Sequence, residues 1–223
     1  MSSRFQIAMV LAVTAALNPL LCRAAEPPAM GNALAIMILA NSDFGTRLEL
    51  CREMGRRQDP GLSEVIAFLR YGLPPRAVTE SESLLAALLA GLLDPAWGQD
   101  GVSRRFQANR AELEILLERL PDIQDPLLSA FLVKALLFIG DTMHGPSVLR
   151  LAGRYGERMA NGSENLDPGG IQCVLAVLSY ASELGTGDFL EPCVGISKSS
   201  RDGVLIRAAR SAASRIASRA ESR

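Results

Sequence analysis

Residues 43–69 read DFGTRLELCREMGRRQDPGLSEVIAFL, and residues 125–151 read DPLLSAFLVKALLFIGDTMHGPSVLRL. Each stretch begins with Asp, continues with small and apolar residues three or four positions apart, passes through a Gly-containing turn and ends in a second apolar run. Such spacing places the apolar side chains on one face of an α-helix. The pattern therefore predicts pairs of helices, and stacked helix pairs bury a continuous core.

Further helix starts can be placed by their spacing from these two stretches. Asp43, Asp125, Asp167 and Asp202 each precede a helical run, and Ser83 lies where a step of roughly 40 residues, typical of helix-pair solenoids, requires another start. Ser and Asp side chains accept hydrogen bonds from the unpaired N–H groups of a first helical turn. We therefore expect a second pair over 83–120, divided at 94–98, a fourth from 167 to about 198, and a closing helix over 202–219.

The first stretch resembles a HEAT repeat in its order of residues, which is Asp43, Arg47, Cys51, Met54-Gly55 and Asp59-Pro60, followed by Val65 and Leu69. In this pattern Gly55 is expected to end a helix with positive φ. The third pair is similar, but Ser129 replaces the Arg, so an Asp–Arg ladder like that of the family would be interrupted there. The resemblance implies an all-α fold, a right-handed α-solenoid of about four HEAT-like helix pairs plus a C-terminal capping helix over 43–219, with 220–223 as a tail. An irregular α-helical bundle is the alternative.

The amino terminus has the composition of a secretory signal peptide over 1–24. Arg4 provides a positive start, and residues 5–17 form an apolar run too short for a bilayer span. Cleavage after Ala24 fits the small residues at this point, and acylation of Cys22 or an uncleaved anchor are the alternatives. Residues 25–42 are expected to form an N-terminal segment with a short apolar helix at 33–40. We expect an exported protein, periplasmic or extracellular and bacterial.

Composition favours a helical interaction protein. The chain of 223 residues is 48% hydrophobic but only 5% aromatic, which is low for a sheet protein. Removing residues 1–24 takes away Arg4 and Arg23 and no acid, so the net charge changes from −1 to −3. Nucleic-acid binding depends on many neutralised phosphates, so no nucleic-acid partner is expected. The mature chain also contains no apolar run long enough to span a membrane.

Three cysteines remain after removal of the leader: Cys51, Cys173 and Cys193. In an oxidising compartment Cys173 and Cys193 could form a disulfide, because they are expected on neighbouring helices of one repeat. The alternative is that all three are small buried apolar residues.

No catalytic, cofactor-binding or metal-binding constellation is evident in the sequence. His144 is the only histidine, and its place between two helices predicts a surface turn residue. Phosphate-binding loops and Cys-x-x-Cys pairs are absent from the sequence. The chain is therefore expected not to be an enzyme and to need no cofactor. The alternative is a HEAT-like enzyme or small-ligand-binding protein with a pocket near Trp97 or His144.

The second helix of each pair usually lines the concave face of HEAT proteins, so this resemblance implies a protein-binding scaffold or adaptor. Rows of polar side chains on such a curved surface would recognise an extended segment of a partner protein. The candidate binding residues are Ser63, Glu64, Arg70, Arg110, Glu114, Arg150 and Arg154. The Arg-rich closing helix could also dock an anionic partner, although terminal repeats often carry a polar outer face for solubility alone.

Overall fold

The computed structural model describes residues 43–57, 62–71, 78–161 and 166–221. Within these ranges every regular element is helical, so the expected all-α class is confirmed for this part of the chain. None of the helices in these ranges combines the length and apolar character that a membrane crossing requires. The predicted leader and the segment at 25–42 lie outside the described residues.

The α-helices follow one another with short connections. In chain order they are α1 (Phe44–Arg57), α2 (Leu62–Tyr71), α3 (Val78–Leu92), α4 (Gly98–Ala108), α5 (Arg110–Glu118), α6 (Pro126–Ile139), α7 (Gly145–Ala160), α8 (Pro168–Glu183), α9 (Leu190–Ser199) and α10 (Gly203–Glu221). Single turns of 3-10 helix occur at Pro95–Trp97, Leu120–Asp122 and Gly187–Phe189.

The four predicted Asp residues each cap the start of a helix. The Asp125 carboxylate accepts hydrogen bonds from the N–H groups of the first turn of α6, and Asp202 does the same at α10. Asp43 accepts from the N–H of Thr46, and Asp167 accepts from the N–H of Gly170 at 2.6 Å. These bonds satisfy donors that a helix start otherwise leaves unpaired.

The helices contact one another in two rows. In one row α1 packs against α3, α3 against α6, α6 against α8, and α8 against α10. In the other row α2 packs against α5, α7 against the turn that follows α5, and α9 against α7. Contacts of α2 with α3, α7 with α8, and α9 with α10 join the rows. The buried side chains of both rows form one apolar cluster that runs from Cys51 on α1 to Ile216 on α10.

Polar contacts between the starts of α1, α3 and α6 fasten one row along its edge. Arg47 forms an ion pair with Glu80. Glu82 accepts hydrogen bonds from the N–H groups of Gln124, at 2.9 Å, and Asp125, at 2.7 Å. Ser83 donates to the Asp125 carboxylate at 2.7 Å. Acidic and Ser side chains thus connect successive helices here. Ser129 is instead buried and donates to the carbonyl of Asp125, the residue that caps its own helix.

The second helix pair differs from its prediction. Its first helix, α3, begins at Val78 instead of Ser83. The rest of the unit consists of two helices, because the backbone at Asn109 leaves helical geometry between α4 and α5 at φ −112° and ψ 14°. The predicted second helix ends at Glu118, and Leu120 lies in the 3-10 turn that follows.

Gly55 does not end a helix with positive φ, so this prediction was wrong. It lies inside α1, and among the described residues positive φ occurs at Gly98 and Gly140. A β-carbon at Gly55 would lie 2.8 Å from the N atom of Leu92 and closer still to the carbonyl oxygen of Leu88, both on α3. Gly55 therefore allows two helix backbones to approach each other.

Gly140 provides the helix ending that was expected of Gly55. It has φ 67° and ψ 29°, a left-handed conformation that Gly adopts without strain. The N–H of Asp141 donates to the Leu136 carbonyl at 3.0 Å, which satisfies an acceptor of the last turn of α6. This ending places Asp141 and His144 in a tight turn before α7.

Candidate functional site

The predicted binding residues lie on the row formed by α2, α5 and α7. Ser63 is on α2, Arg110 and Glu114 are one turn apart on α5, and Arg150 and Arg154 are one turn apart on α7. The side chains of Glu64 and Arg70 lie outside the described part of the structure. The arrangement thus brings at least part of the predicted set onto adjacent helices of one row.

Two of these residues belong to a cluster with His144, which we call the His144 cluster: Arg110, Glu114, Asp141 and His144. The Asp141 carboxylate accepts hydrogen bonds from the N–H groups of Met143, at 2.8 Å, and His144, at 3.3 Å. This local turn orients the imidazole towards α5. Tyr180 of α8 donates its hydroxyl to the Asp141 carbonyl at 2.8 Å, so the turn is held from both sides.

Every charged group in the His144 cluster contacts an opposite or complementary group. His144 Nε2 lies 3.1 Å from Glu114 Oε1, and His144 Nδ1 lies 3.3 Å from Asp141 Oδ1. Arg110 reaches both Glu114 and Asp141 at 3.3 Å. The cluster connects α5 to the turn between α6 and α7.

His144 was predicted to be a surface turn residue; its place in a turn between two helices is confirmed, but its exposure at the surface was wrong. It is buried, with 9% of its surface exposed, and the Asp141 side chain is 6% exposed. A histidine that acts as a general base needs a ring nitrogen within reach of the substrate. Both ring nitrogens of His144 instead face carboxylates of its own chain, so the arrangement suits a structural fastening of neighbouring helix pairs.

Trp97 lies over another buried polar group. The guanidinium of Arg105 is 3.9 Å from the centroid of the Trp97 ring and donates to the carbonyls of Gly55, at 2.8 Å, and Arg56. Burial lowers the pKa of Arg105 from its very high ordinary value. Arg105 therefore fills the space beside Trp97, where a pocket was considered, and caps the last turn of α1.

An ion pair also supports the end of α1, near Trp97 and Arg105. Arg56 Nε lies 2.9 Å from Asp94 Oδ2. The N–H of Ala96 and the Arg56 guanidinium both hold the pKa of Asp94 below its ordinary value. Trp97 keeps 45% of its surface exposed, so its ring is a partial cover for Arg105.

Two further arginines bind backbone carbonyls of a neighbouring element. Arg154, predicted to contact a partner, donates to the carbonyls of Pro121, at 2.7 Å, and Ile123, at 3.1 Å. Arg219 donates to four carbonyls around the end of α8, those of Ala181, Ser182, Glu183 and Gly185. Sequence reasoning missed Arg105 and Arg219, because a long side chain that reaches carbonyls far away in the chain has no local sequence signal.

The side chains of the remaining predicted residues differ in how exposed they are and in how many groups of this chain they contact. Ser63 donates to Asn109 Oδ1 at 3.3 Å, whereas Arg150 is exposed and contacts only Ser147, at 3.4 Å, among its described hydrogen bonds. Among the predicted binding residues whose side chains are described, Arg150 is therefore the most accessible charged one. On the closing helix, Arg215 pairs with Glu183, while Arg207 and Arg210 are exposed.

The three described cysteines are buried free thiols, so the disulfide considered for Cys173 and Cys193 is not present in the structure. Burial raises the pKa of Cys51 to about 12 and the pKa values of Cys173 and Cys193 to about 11. Thiols with such values are unreactive at neutral pH. Within the described ranges, no group of three or more His, Cys, Asp or Glu side chains is arranged to hold a metal ion.

Comparisons with protein-family models, with curated proteins and with solved structures find no match to this chain. A function for this chain is therefore inferred from its fold and its side-chain geometry.

Proposed function

We propose that this chain is an exported, non-enzymatic protein–protein interaction module, built as a right-handed α-solenoid of HEAT-like helix pairs with α10 as its closing helix. The observation that carries the proposal is the order of helix contacts. In one row each helix packs against the next member of the row, from α1 through α3, α6 and α8 to α10; in the other, α2 packs against α5, the turn after α5 against α7, and α7 against α9. A stack of this kind presents long surfaces that suit extended partners.

The arrangement of polar groups supports a binding role over a catalytic one. His144 has both ring nitrogens beside carboxylates, and Arg105 occupies the space beside Trp97. Both ring nitrogens of His144 and the two terminal guanidinium nitrogens of Arg105 thus contact groups of this chain. Exposed Arg150 on α7 is free to contact a partner on the second-helix row, which we propose to be the concave face.

Crosslinking in the source cell tests the interaction proposal. A photoreactive amino acid would replace Arg150 in the tagged full-length chain, and a matched control would carry it at Ser211, an exposed residue of α10. We expect one stoichiometric protein adduct at position 150 and a much lower yield at 211. No adduct above the control, together with a thermal shift caused by a small metabolite, would contradict the proposal and favour ligand binding.

Export and the solenoid shape have separate tests. Mass spectrometry of the protein from the cell envelope or medium should give a mature terminus at Ala25, and an intact Met1 on exported protein would contradict the signal peptide. X-ray scattering in solution should show an elongated particle. A compact, near-spherical profile would instead support a helical bundle.

A further inference from the structure

Helix α6 has an apolar side that faces outward. Its buried face includes Leu128, Leu132 and Leu136. On the opposite side, four residues recur at helical spacing and form what we call the α6 stripe: Leu127, Phe131, Lys134 and Phe138. Leu127 is 37% exposed and Phe138 is 38% exposed, while Phe131 and Lys134 are partly exposed.

The helix that follows in the same row has the polar outer side that a water-facing helix normally has. The exposed residues of α8 include Gln172, Ser179 and Glu183. The α6 stripe instead exposes two large apolar side chains, Leu127 and Phe138, and between them the part of Phe131 that does not pack against the core. Contiguous exposed apolar surface often marks an interaction site, whereas single exposed apolar residues are ordinary.

Lys134 gives the stripe a positive charge that pairs with no carboxylate in the described ranges. Its Nζ lies 5.4 Å from the centroid of the Phe131 ring, within the range of a cation–π contact. No carboxylate of the described residues forms an ion pair with it. A partner that covers the stripe would remove water from this ammonium group, so the partner needs an acidic side chain opposite Lys134.

We propose that the α6 stripe binds an amphipathic helix of a partner protein, whose apolar side chains cover Leu127, Phe131 and Phe138 and whose Asp or Glu pairs with Lys134. The inference rests on the proposed interaction function and adds a second surface to it. The stripe spans about 16 Å at 1.5 Å per residue, so a partner helix of roughly three turns matches it. Positions that alternate at spacings of three and four along one helix face form a seam through which a second helix can pack side by side.

The single positive charge of the stripe favours a partner helix over two other occupants, a second copy of this chain and a lipid surface. The stripe carries a cation but no acid, so the stripes of two copies of this chain would bring like charges together without a partner for either Lys134. A lipid surface with anionic headgroups would favour several cations, but the stripe has one. A partner helix with one acidic residue places an opposite charge against Lys134 and requires no further cation on the stripe.

The test combines crosslinking with an exchange of charges. The photoreactive residue p-benzoylphenylalanine would replace Phe138 in the full-length chain in the source cell, with Gln172 of α8 as the matched control position. Mass spectrometry would identify the crosslinked segment. We expect an amphipathic helical segment with an acidic residue, Lys134→Glu to lower the adduct yield at least tenfold, and replacement of the partner's acid by Lys to restore it.

Specific results would overturn the inference. These are an adduct with another copy of this chain or with lipid, a yield at 138 no higher than at 172, or a Lys134→Glu variant with undiminished yield and an unchanged circular dichroism spectrum. A partner captured at position 150 but not at 138 would leave the proposed function standing and reject the α6 stripe. Capture at neither position would reject both.

Discussion

Gly55 of α1 and Gly91 of α3 lie against each other's helix backbone. A β-carbon at Gly91 would lie 2.9 Å from the N atom of Arg56 and closer still to the carbonyl oxygen of Arg52, which mirrors the crowding at Gly55. The two helices can approach this closely only because neither position has a side chain. The contact is one of several that hold the first helix pair on the rest of the molecule.

Replacing either glycine should destabilise the protein strongly. We expect Gly55→Ala or Gly91→Ala to lower the free energy of unfolding by about 2–4 kcal/mol, because the new methyl group meets backbone atoms that cannot rotate away. Urea denaturation followed by circular dichroism measures the change. As a control, Gly153→Ala on α7 places its methyl group in open space and should raise stability by up to about 1 kcal/mol. Equal effects at all three positions would contradict the close approach.

Arg219 should contribute more to stability than the other arginines of α10. Its guanidinium donates to carbonyls at the end of α8, where the helix leaves acceptors unpaired. Arg219→Met should cost about 1–3 kcal/mol in thermal or urea unfolding, in the range for charge-assisted hydrogen bonds. Exposed Arg210 is the matched control, and Arg210→Met should stay within about 0.5 kcal/mol of the parent. If Arg219→Met and Arg210→Met lowered the stability by the same amount, the change in overall charge would be the cause.

The His144 cluster should appear as an energetic coupling between two helix pairs. A double-mutant cycle of His144→Ala and Glu114→Ala should give a coupling free energy of about 0.5–2 kcal/mol, because the two side chains are in direct contact at 3.1 Å. The same cycle with Glu118→Ala, an exposed residue one turn further along α5, should give less than about 0.5 kcal/mol. Additive effects in the first cycle would rule out the contact.

The buried thiols should be protected in the native state. At pH 8 we expect Cys51, Cys173 and Cys193 of the folded protein to react slowly with a thiol reagent, and all three to react after denaturation without reductant. If only one of these three reacts in the denatured protein, Cys173 and Cys193 are bridged.

The same thiols predict how stability changes at alkaline pH. Burial raises the pKa of Cys193 from an ordinary value of 9.0 to about 11, so above pH 9 the unfolded chain loses a proton that the native state retains. The free energy of unfolding should therefore fall between about pH 9 and 11. Cys193→Ala should weaken this dependence in urea titrations at several pH values. An unchanged slope would assign the effect to other groups.

Helix starts could be predicted because capping is local. An Asp side chain reaches N–H groups two or three residues further on, so Asp125 and Asp202 could be identified as caps from sequence alone. The closing helix was predicted over 202–219, close to its observed range of Gly203–Glu221. The apolar spacing was likewise sufficient for the all-α class.

The errors arose where a residue's role depends on distant parts of the chain. Gly55 and Gly140 both follow an apolar residue near the end of a helix, yet Gly55 faces Gly91 and only Gly140 has positive φ. His144 is buried because Glu114 of α5 lies opposite its turn, a register that the sequence near His144 does not encode. Local pattern thus predicted elements better than it predicted the contacts between them.

The long-range arginine contacts have a mechanical consequence. Arg105 of α4 holds the end of α1, Arg154 of α7 holds the segment that precedes α6, and Arg219 of α10 holds the end of α8. We call each of these arginine contacts a clamp. Each clamp ties one helix pair, or the closing helix, to a part of the stack that comes earlier in the chain. If the molecule is stretched between its two ends, we expect it to yield in discrete steps, with each rupture of a clamp releasing one unit while the others still carry load.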